Sequence, residues 1–242
     1  MTGEVLSGSR LIDTIVDLRV GAGLSDPAPG RFVHLAVPGF SLRRPISLCG
    51  YKDGAARLVF AVKGQGTAAL AGLREGDPVD LLGPLGNGFP ENLPGKTVLV
   101  GGGIGLPPLL YYARTHQNTH TIAGFRSRED AILTGEFPSL DVCTDDGSQG
   151  FACYPHERLE TYISQEGSPD QVLACGPRQL LKAVAGVCKE RGVPCFVSVE
   201  ERMACGVGAC LVCACAVGGH YRRVCKDGPV FNAADVDWGN PP

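Results

Sequence analysis

Apolar residues over roughly the first ninety positions fall in short runs with an alternating character rather than in helical stripes. Five runs read as strands: Leu11–Val20, Arg31–Val37, Ile46–Leu48, Arg57–Val62 and Pro78–Leu82. Clusters such as Ser25-Asp26-Pro27-Ala28-Pro29-Gly30 punctuate them, and helical spacing is confined to a short stretch near Thr67–Leu73. Several short strands at this interval predict an antiparallel barrel or sandwich.

The rhythm changes after Leu93-Pro94-Gly95. Strand-like runs Lys96–Val100, Thr121–Phe125, Leu140–Thr144, Gln171–Ala174 and Cys195–Val199 then alternate with helical patterns at Pro107–Thr115, His156–Ile163 and Pro177–Arg191. That alternation predicts a parallel sheet flanked by helices. The stretch 201–242 has no amphipathic helix long enough to build a core, so something other than apolar burial is expected to hold it. The expected layout is a β plus α/β chain. An antiparallel β-barrel is expected over 1–94, a parallel-sheet α/β domain over 95–200, and a small cysteine-rich module over 201–242.

Composition narrows the chemistry. The chain has 242 residues, with 34 Gly and 18 Pro, which suits a turn-rich protein. Its 22 basic and 25 acidic residues leave a net charge of −3, so no basic face for nucleic acid is implied. The longest apolar run, Val98–Leu110, is broken by four glycines and two prolines and is too short to span a bilayer. The N-terminus lacks a charged start followed by an apolar block, so a cytoplasmic location is expected. Eleven cysteines in that setting argue for metal or redox chemistry over disulfides.

Five of those cysteines lie in the tail, four of them as Cys205-x4-Cys210-x2-Cys213 followed, after eleven residues, by Cys225. This is the plant-type spacing for a 2Fe-2S cluster. Three thiolates must converge from one tight loop, and Gly206 and Gly208 allow it to fold back with its N–H groups near the sulfides. A zinc ribbon wants paired C-x2-C knuckles, and only a single C-x2-C, Cys210–Cys213, occurs here. Cys215, two residues beyond Cys213, is a second candidate for the third ligand, although Cys213 completes the spacing. Cys49, Cys143, Cys153, Cys188 and Cys195 are expected to behave as small buried apolar residues.

Two glycine turns point to a nucleotide. Val98-Leu99-Val100 runs through Gly101, Gly102, Gly103 and Gly105 into a helix with Pro107 in its first turn, although Leu106 breaks the strict G-x-G-x-x-G fingerprint. Ala174-Cys175-Gly176-Pro177 ends a later strand in the same way, and ligands of open α/β sheets bind at the carboxyl ends of strands. Thr144-Asp145-Asp146-Gly147-Ser148 ends an intervening strand at that edge, either as a contact or as an ordinary acidic turn. In the first unit, Arg44 can neutralise a pyrophosphate and Ser47 can hydrogen-bond a flavin. Gly66-Thr67, in Lys63-Gly64-Gln65-Gly66-Thr67, forms a second phosphate cradle.

In order, Arg44-Pro45-Ile46-Ser47, Gly66-Thr67, Gly83-Pro84-Leu85-Gly86, Gly101–Gly105 and Cys175-Gly176-Pro177 resemble the ferredoxin reductase superfamily. With the tail Glu200–Cys213, the chain resembles the electron-transfer subunits of class B dihydroorotate dehydrogenases. The resemblance implies FAD contacts at Arg44, Pro45, Ile46, Ser47, Val59, Phe60, Ala61, Gly66 and Thr67, with NAD in the α/β domain. It implies cluster ligands at Cys205, Cys210, Cys213 and Cys225, and places Cys175 beside the nicotinamide. The implied partner is an FMN-containing (β/α)8 catalytic subunit in a heterotetramer of two plus two. The implied activity passes electrons from that FMN through the 2Fe-2S cluster and FAD to NAD+ in de novo pyrimidine (UMP) biosynthesis, with no general acid or base in this chain. A related reading is the small flavin/2Fe-2S subunit of an NADH-dependent ferredoxin:NADP oxidoreductase or sulfide dehydrogenase, and a redox-sensing module without turnover is a third. Arg126 and Arg128 against Glu129 and Asp130 leave NAD and NADP both open at the ribose.

Overall fold

The computed structural model of the chain describes residues 1–91 and 94–239, so Leu93 at the expected junction lies outside the described residues. Six antiparallel strands, β1 (Thr2–Ile12), β2 (Ile15–Gly21), β3 (Phe32–Leu35), β4 (Arg44–Lys52), β5 (Ala55–Ala61) and β6 (Pro78–Leu85), close into a barrel in the order β1-β2-β5-β4-β3-β6. Val5, Leu18, Val33, Leu35, Leu48, Leu58 and Leu81 fill its interior. A short helix, α1 (Gln65–Ala71), adds Leu70 to that core.

Two expectations for this region are corrected. The run Leu11–Val20 is not one strand: the chain reverses at Asp13-Thr14, and Ile12 pairs with Ile15 across the hairpin. The strand before that reversal, β1, escaped the pattern because Val5 is its one fully buried position and most of the rest is exposed. Ladders to β2 on one side and β6 on the other hold it as a strand, not an apolar face.

The second body is a six-stranded sheet of β7 (Thr97–Gly102), β8 (Thr119–Phe125), β9 (Leu140–Thr144), β10 (Gln171–Cys175), β11 (Cys195–Ser198) and β14 (Val230–Asn232), in the order β14-β11-β10-β7-β8-β9. The first five run parallel and β14 is antiparallel to β11. Helices α2 (Leu106–Thr115), α3 (Pro155–Glu166) and α4 (Arg178–Arg191) make the crossovers. Strand order reverses between β7 and β10, which is the topological switch point of the sheet.

Helix α2 joins the two bodies. Its Tyr111 side chain packs into the barrel core, and its hydroxyl donates to the Pro27 carbonyl at 3.0 Å. On the same seam the Arg57 guanidinium of β5 donates to Asp17 and to Glu136, the latter in the α/β body.

The tail forms a hairpin of β12 (Ala214–Val217) and β13 (His220–Arg223), one helical turn α5 (Val224–Asp227), and β14. Gly218 and Gly219, both with positive φ, make its two-residue turn. Apolar burial has a share in holding the tail as well. Cys213, Cys215, Val217, Val224, Cys225, Ala233 and Val236 are buried in one cluster with Val197, Val199 and Phe32. A segment too short for its own core borrows those of its neighbours. Among the described residues no helix is long and apolar enough to cross a membrane.

Candidate functional site

Both expected glycine turns end at the switch point, and they touch. The chain leaves β7 through a 3-10 turn, Gly103–Gly105, with Gly103 at φ 51°, and Pro107 and Pro108 open α2. A Cβ on Gly105 would run into the Cys175 carbonyl, and one on Gly102 would lie 2.8 Å from the Leu180 side chain and 3.1 Å from Pro177. Gly176 has φ 154° and backs onto the Gly102 backbone. Gly102, Gly105, Cys175, Gly176 and Pro177 thus meet where the two turns touch, and Gly103 lies beside them with open space around its Cα. Gly101 also lets α2 pack closely, since a Cβ there would meet Leu109 at 2.9 Å. Burial pushes the Cys175 thiol up to about 12 despite a hydrogen bond with Ser198, so it stays protonated at neutral pH. The Thr144–Ser148 turn borders the same edge but spends much of its polarity on itself. Asp146 accepts from the Ser148 N–H at 3.0 Å and hydroxyl at 2.6 Å, and Thr144 donates to the Gln149 carbonyl.

In the barrel, Arg44 opens β4 and Gly66 lies in the first turn of α1, twenty-two positions on. A Cβ on Gly66 would occupy the place of the Arg44 guanidinium. A cation and a helix N-terminus therefore converge, which is the donor set that fits a pyrophosphate. Phe40 lies 5.2 Å below the guanidinium. Pro45 and Ser47 are half-buried, while Ile46 turns into the barrel. The Thr67 hydroxyl caps its own helix, accepting from the N–H groups of Lys63 and Gly64. Val59 and Phe60 are buried on opposite sides of β5, Phe60 in the barrel core and Val59 against α2, and Ala61 is half-buried. A ligand reaching Val59 or Phe60 would meet backbone.

The four cysteines of the tail motif converge as two pairs. Gly206 and Gly208, at φ 73° and 81°, fold the loop so that the N–H groups of Ala209 and Cys210 point at Cys205 Sγ, at 3.3 and 3.4 Å. The N–H groups of Cys210 and Val207, followed by the Cys210 thiol, pull the Cys205 thiol down to about 6. Cys213 Sγ accepts from the Cys225 N–H at 3.4 Å, and the two thiols are hydrogen-bonded; burial pushes Cys225 up to about 12. Cys225 arrives on α5, a single helical turn. Cys215 is buried on β12 in register with Arg222, also with its thiol pushed up, to about 11. Among the described residues no three Cys, His, Asp or Glu side chains close on a single ion. Two separate thiol pairs suit a binuclear iron–sulfur centre, with two thiolates for each iron, better than a single zinc. Cys210 is exposed, and Val207, Leu211 and Val212 are exposed around it.

Among the remaining cysteines, Cys49, Cys143, Cys188 and Cys195 are buried as expected, while Cys153 is half-buried with its sulfur 3.8 Å from that of Cys143. One residue beside the cluster loop had no motif to flag it. His34 is fully buried on β3 and lies against Gly206. Its single trace in the sequence is a polar residue inside the apolar run Phe32-Val33-His34-Leu35.

Residues 200–237 match the family model described as the iron–sulfur cluster binding domain of dihydroorotate dehydrogenase B. The electron transfer subunit of dihydroorotate dehydrogenase B (NAD(+)) of Geobacillus thermodenitrificans is 43% identical over 227 residues, 86% of either chain. That of Caldanaerobacter subterraneus is 39% identical over 249 residues, 98% of either chain. The chain belongs to this family. The resemblance read from the motif order holds from end to end, including the barrel, the parallel sheet and the iron–sulfur tail. Among solved structures, the chain superposes on one from the NADH-dependent reduced ferredoxin-NADP oxidoreductase, described in work on flavin-based electron bifurcation. The TM-score is 0.88 at 29% identity, over 98% of this chain and 90% of that one. As an electron transfer subunit of this family, the chain is an oxidoreductase component.

Proposed function

We propose that this chain is the electron-conducting subunit of an NAD+-dependent dihydroorotate dehydrogenase, acting in de novo pyrimidine (UMP) biosynthesis in the cytoplasm. The observation that carries the reading is the arrangement of Cys205, Cys210, Cys213 and Cys225 as two thiol pairs inside the matched segment 200–237. These four would hold a 2Fe-2S cluster. Arg44, Pro45, Ile46, Ser47, Gly66 and Thr67 would hold FAD, with the backbone of Val59, Phe60 and Ala61 along its ring. Gly101, Gly102, Gly103, Gly105, Cys175, Gly176 and Pro177 would hold NAD. The division into 1–94, 95–200 and 201–242 assigns one redox group to each unit.

When bound, the flavin supplies the exchange between single electrons and a hydride pair, which a one-electron cluster cannot make. The chain's own residues position and tune. Arg44 and the N-terminus of α1 set a positive field where a pyrophosphate would lie. The N–H groups of Ala209 and Cys210 stabilise the negative charge of Cys205. Gly102 and Gly105 let the two turns close on each other without Cβ atoms in the way, and Gly103 leaves open space beside them where a nucleotide would lie. Cys175 brings a neutral thiol to these turns, so it adds no charge there.

The partner in this reading is an FMN-containing catalytic subunit, two copies of each chain forming the assembly. The exposed Cys210 and its rim of Val207, Leu211 and Val212 support a covered face there. The likeness to the ferredoxin-NADP oxidoreductase favours, as a second reading, the small flavin/2Fe-2S subunit of such an enzyme or of a sulfide dehydrogenase. Anaerobic co-expression with the dihydroorotate-oxidising subunit decides between them. The expected complex contains FMN, FAD and iron and reduces NAD+ with dihydroorotate only when this chain is present. A fully loaded chain that binds no such subunit and supports no dihydroorotate-dependent NADH formation would overturn the proposal.

A further inference from the structure

Strand β3 divides its side chains between two environments. Val33 and Leu35 point into the barrel, whereas Phe32 joins the cluster that contains Cys213 and Cys225. His34 alternates with Val33 and Leu35, so it shares the outward face of Phe32. In register, Phe32 lies opposite Ser47 and His34 opposite Pro45, the strand that carries the flavin motif. On the other side lies the cluster loop. A Cβ on Gly206 would sit 2.8 Å from both Nδ1 and Cε1 of the imidazole, one residue from Cys205. His34 is fully buried, and neither ring nitrogen has a hydrogen-bond partner among the described residues. Buried polar groups without partners are rare in folded proteins and mark places where a further group is met. Burial and the Arg43 guanidinium push the ring down to about 4, so it is neutral at pH 7 and carries one N–H.

We propose that His34 is a positioning residue at the seam between the flavin strand and the cluster loop, seating its ring on Gly206 and donating its Nδ1–H to a sulfur on the Cys205 side of the cluster. The inference rests on the reading that the four tail cysteines hold an iron–sulfur cluster. A hydrogen bond to a cluster sulfur stabilises the more negative, reduced state and raises the reduction potential. It also explains why position 206 is glycine twice over: φ is positive there, and the ring occupies the space a side chain would need.

The test uses the holoenzyme labelled with 15N-histidine, reduced, and read by pulsed EPR at the cluster. A weak 15N coupling is expected, and it should vanish in His34→Gln. His34→Leu should lower the cluster midpoint potential while leaving FAD content unchanged, and His34→Gln, which keeps an N–H donor, should recover part of the loss. A full reduced-cluster signal without histidine coupling, a coupling that survives His34→Gln, or an unshifted potential in His34→Leu would each overturn this inference alone. A wild-type holoenzyme with neither iron nor a reduced-cluster signal would overturn the reading of the tail and this inference together. If His34→Leu fails to load iron, the labelled wild-type and His34→Gln samples decide.

Discussion

The Arg44 guanidinium fills the space that a β-carbon on Gly66 would require. A strand and a helix start are locked together by the absence of one methyl group, and the positive charge is presented where α1 begins. Gly66→Ala must therefore displace Arg44. The expected result is a folded protein that retains FAD about tenfold less tightly, roughly 1.4 kcal/mol of binding free energy. Flavin absorbance after gel filtration, with the circular dichroism spectrum as a fold control, checks it. Undiminished flavin retention would remove Arg44 and Gly66 from the FAD site.

The two candidates for the third cluster ligand are both buried and separate by what they face. Cys213 pairs with Cys225, whereas Cys215 lies on β12 in register with Arg222. Cys213→Ala and Cys210→Ala should each abolish the EPR signal of the reduced cluster while FAD remains bound. Cys215→Ser should keep the signal and lower stability by about 1–3 kcal/mol, because it places a hydroxyl in an apolar site. A cluster lost from Cys215→Ser but retained in Cys213→Ala would reverse the assignment.

Gly105 abuts the Cys175 carbonyl where the two turns meet. Gly105→Ala should push the two turns apart and raise the KM for NADH at least tenfold in dye reduction, about 1.4 kcal/mol in binding. Flavin content and the cluster signal should stay as they are, because neither the barrel nor the tail is touched. Unchanged kinetics would sink the placement of the nucleotide between these turns.

Arg57 ties Asp17 of the barrel to Glu136 of the α/β body through side chains that are 12%, 13% and 29% exposed. Arg57→Ala leaves two carboxylates facing each other, and we expect a loss of about 2–3 kcal/mol, below the range for a fully buried pair because Glu136 is partly exposed. The Arg57 hydrogen bonds hold Glu136 below its ordinary value of 4.5. A carboxylate depressed in the folded state adds stability above its unfolded pKa and loses it as pH falls through the folded one. Urea midpoints of the wild type should thus fall as the pH drops below about 4.5, and that slope should flatten in Arg57→Ala. Parallel pH profiles for the two proteins would contradict this role.

What could be read along the chain was whatever depends on near neighbours. The loop from Cys205 to Cys213 carries three of the four sulfurs within nine residues, with glycines at two of its three positive-φ positions, Leu211 being the third. The Val98–Gly105 and Ala174–Pro177 turns likewise carry their own strand end, glycines and following helix. Such features follow from local spacing, and so the barrel, the parallel sheet and the iron–sulfur tail were all legible in the sequence.

Other features depended on residues far apart in the chain. Strand β1 has almost no apolar pattern and exists because β2 and β6 offer it edges. The tail has no core of its own, yet it buries Cys213, Val224 and Cys225 against Phe32, nearly two hundred positions earlier. His34 looks like one stray polar residue until the barrel closes and brings it against Gly206. The chain by itself determined which groups could carry chemistry, because ligand spacing and turn glycines act over a few bonds. Tertiary structure alone decided which of them meet, because closing the barrel and sharing a core between remote segments are properties of the whole chain.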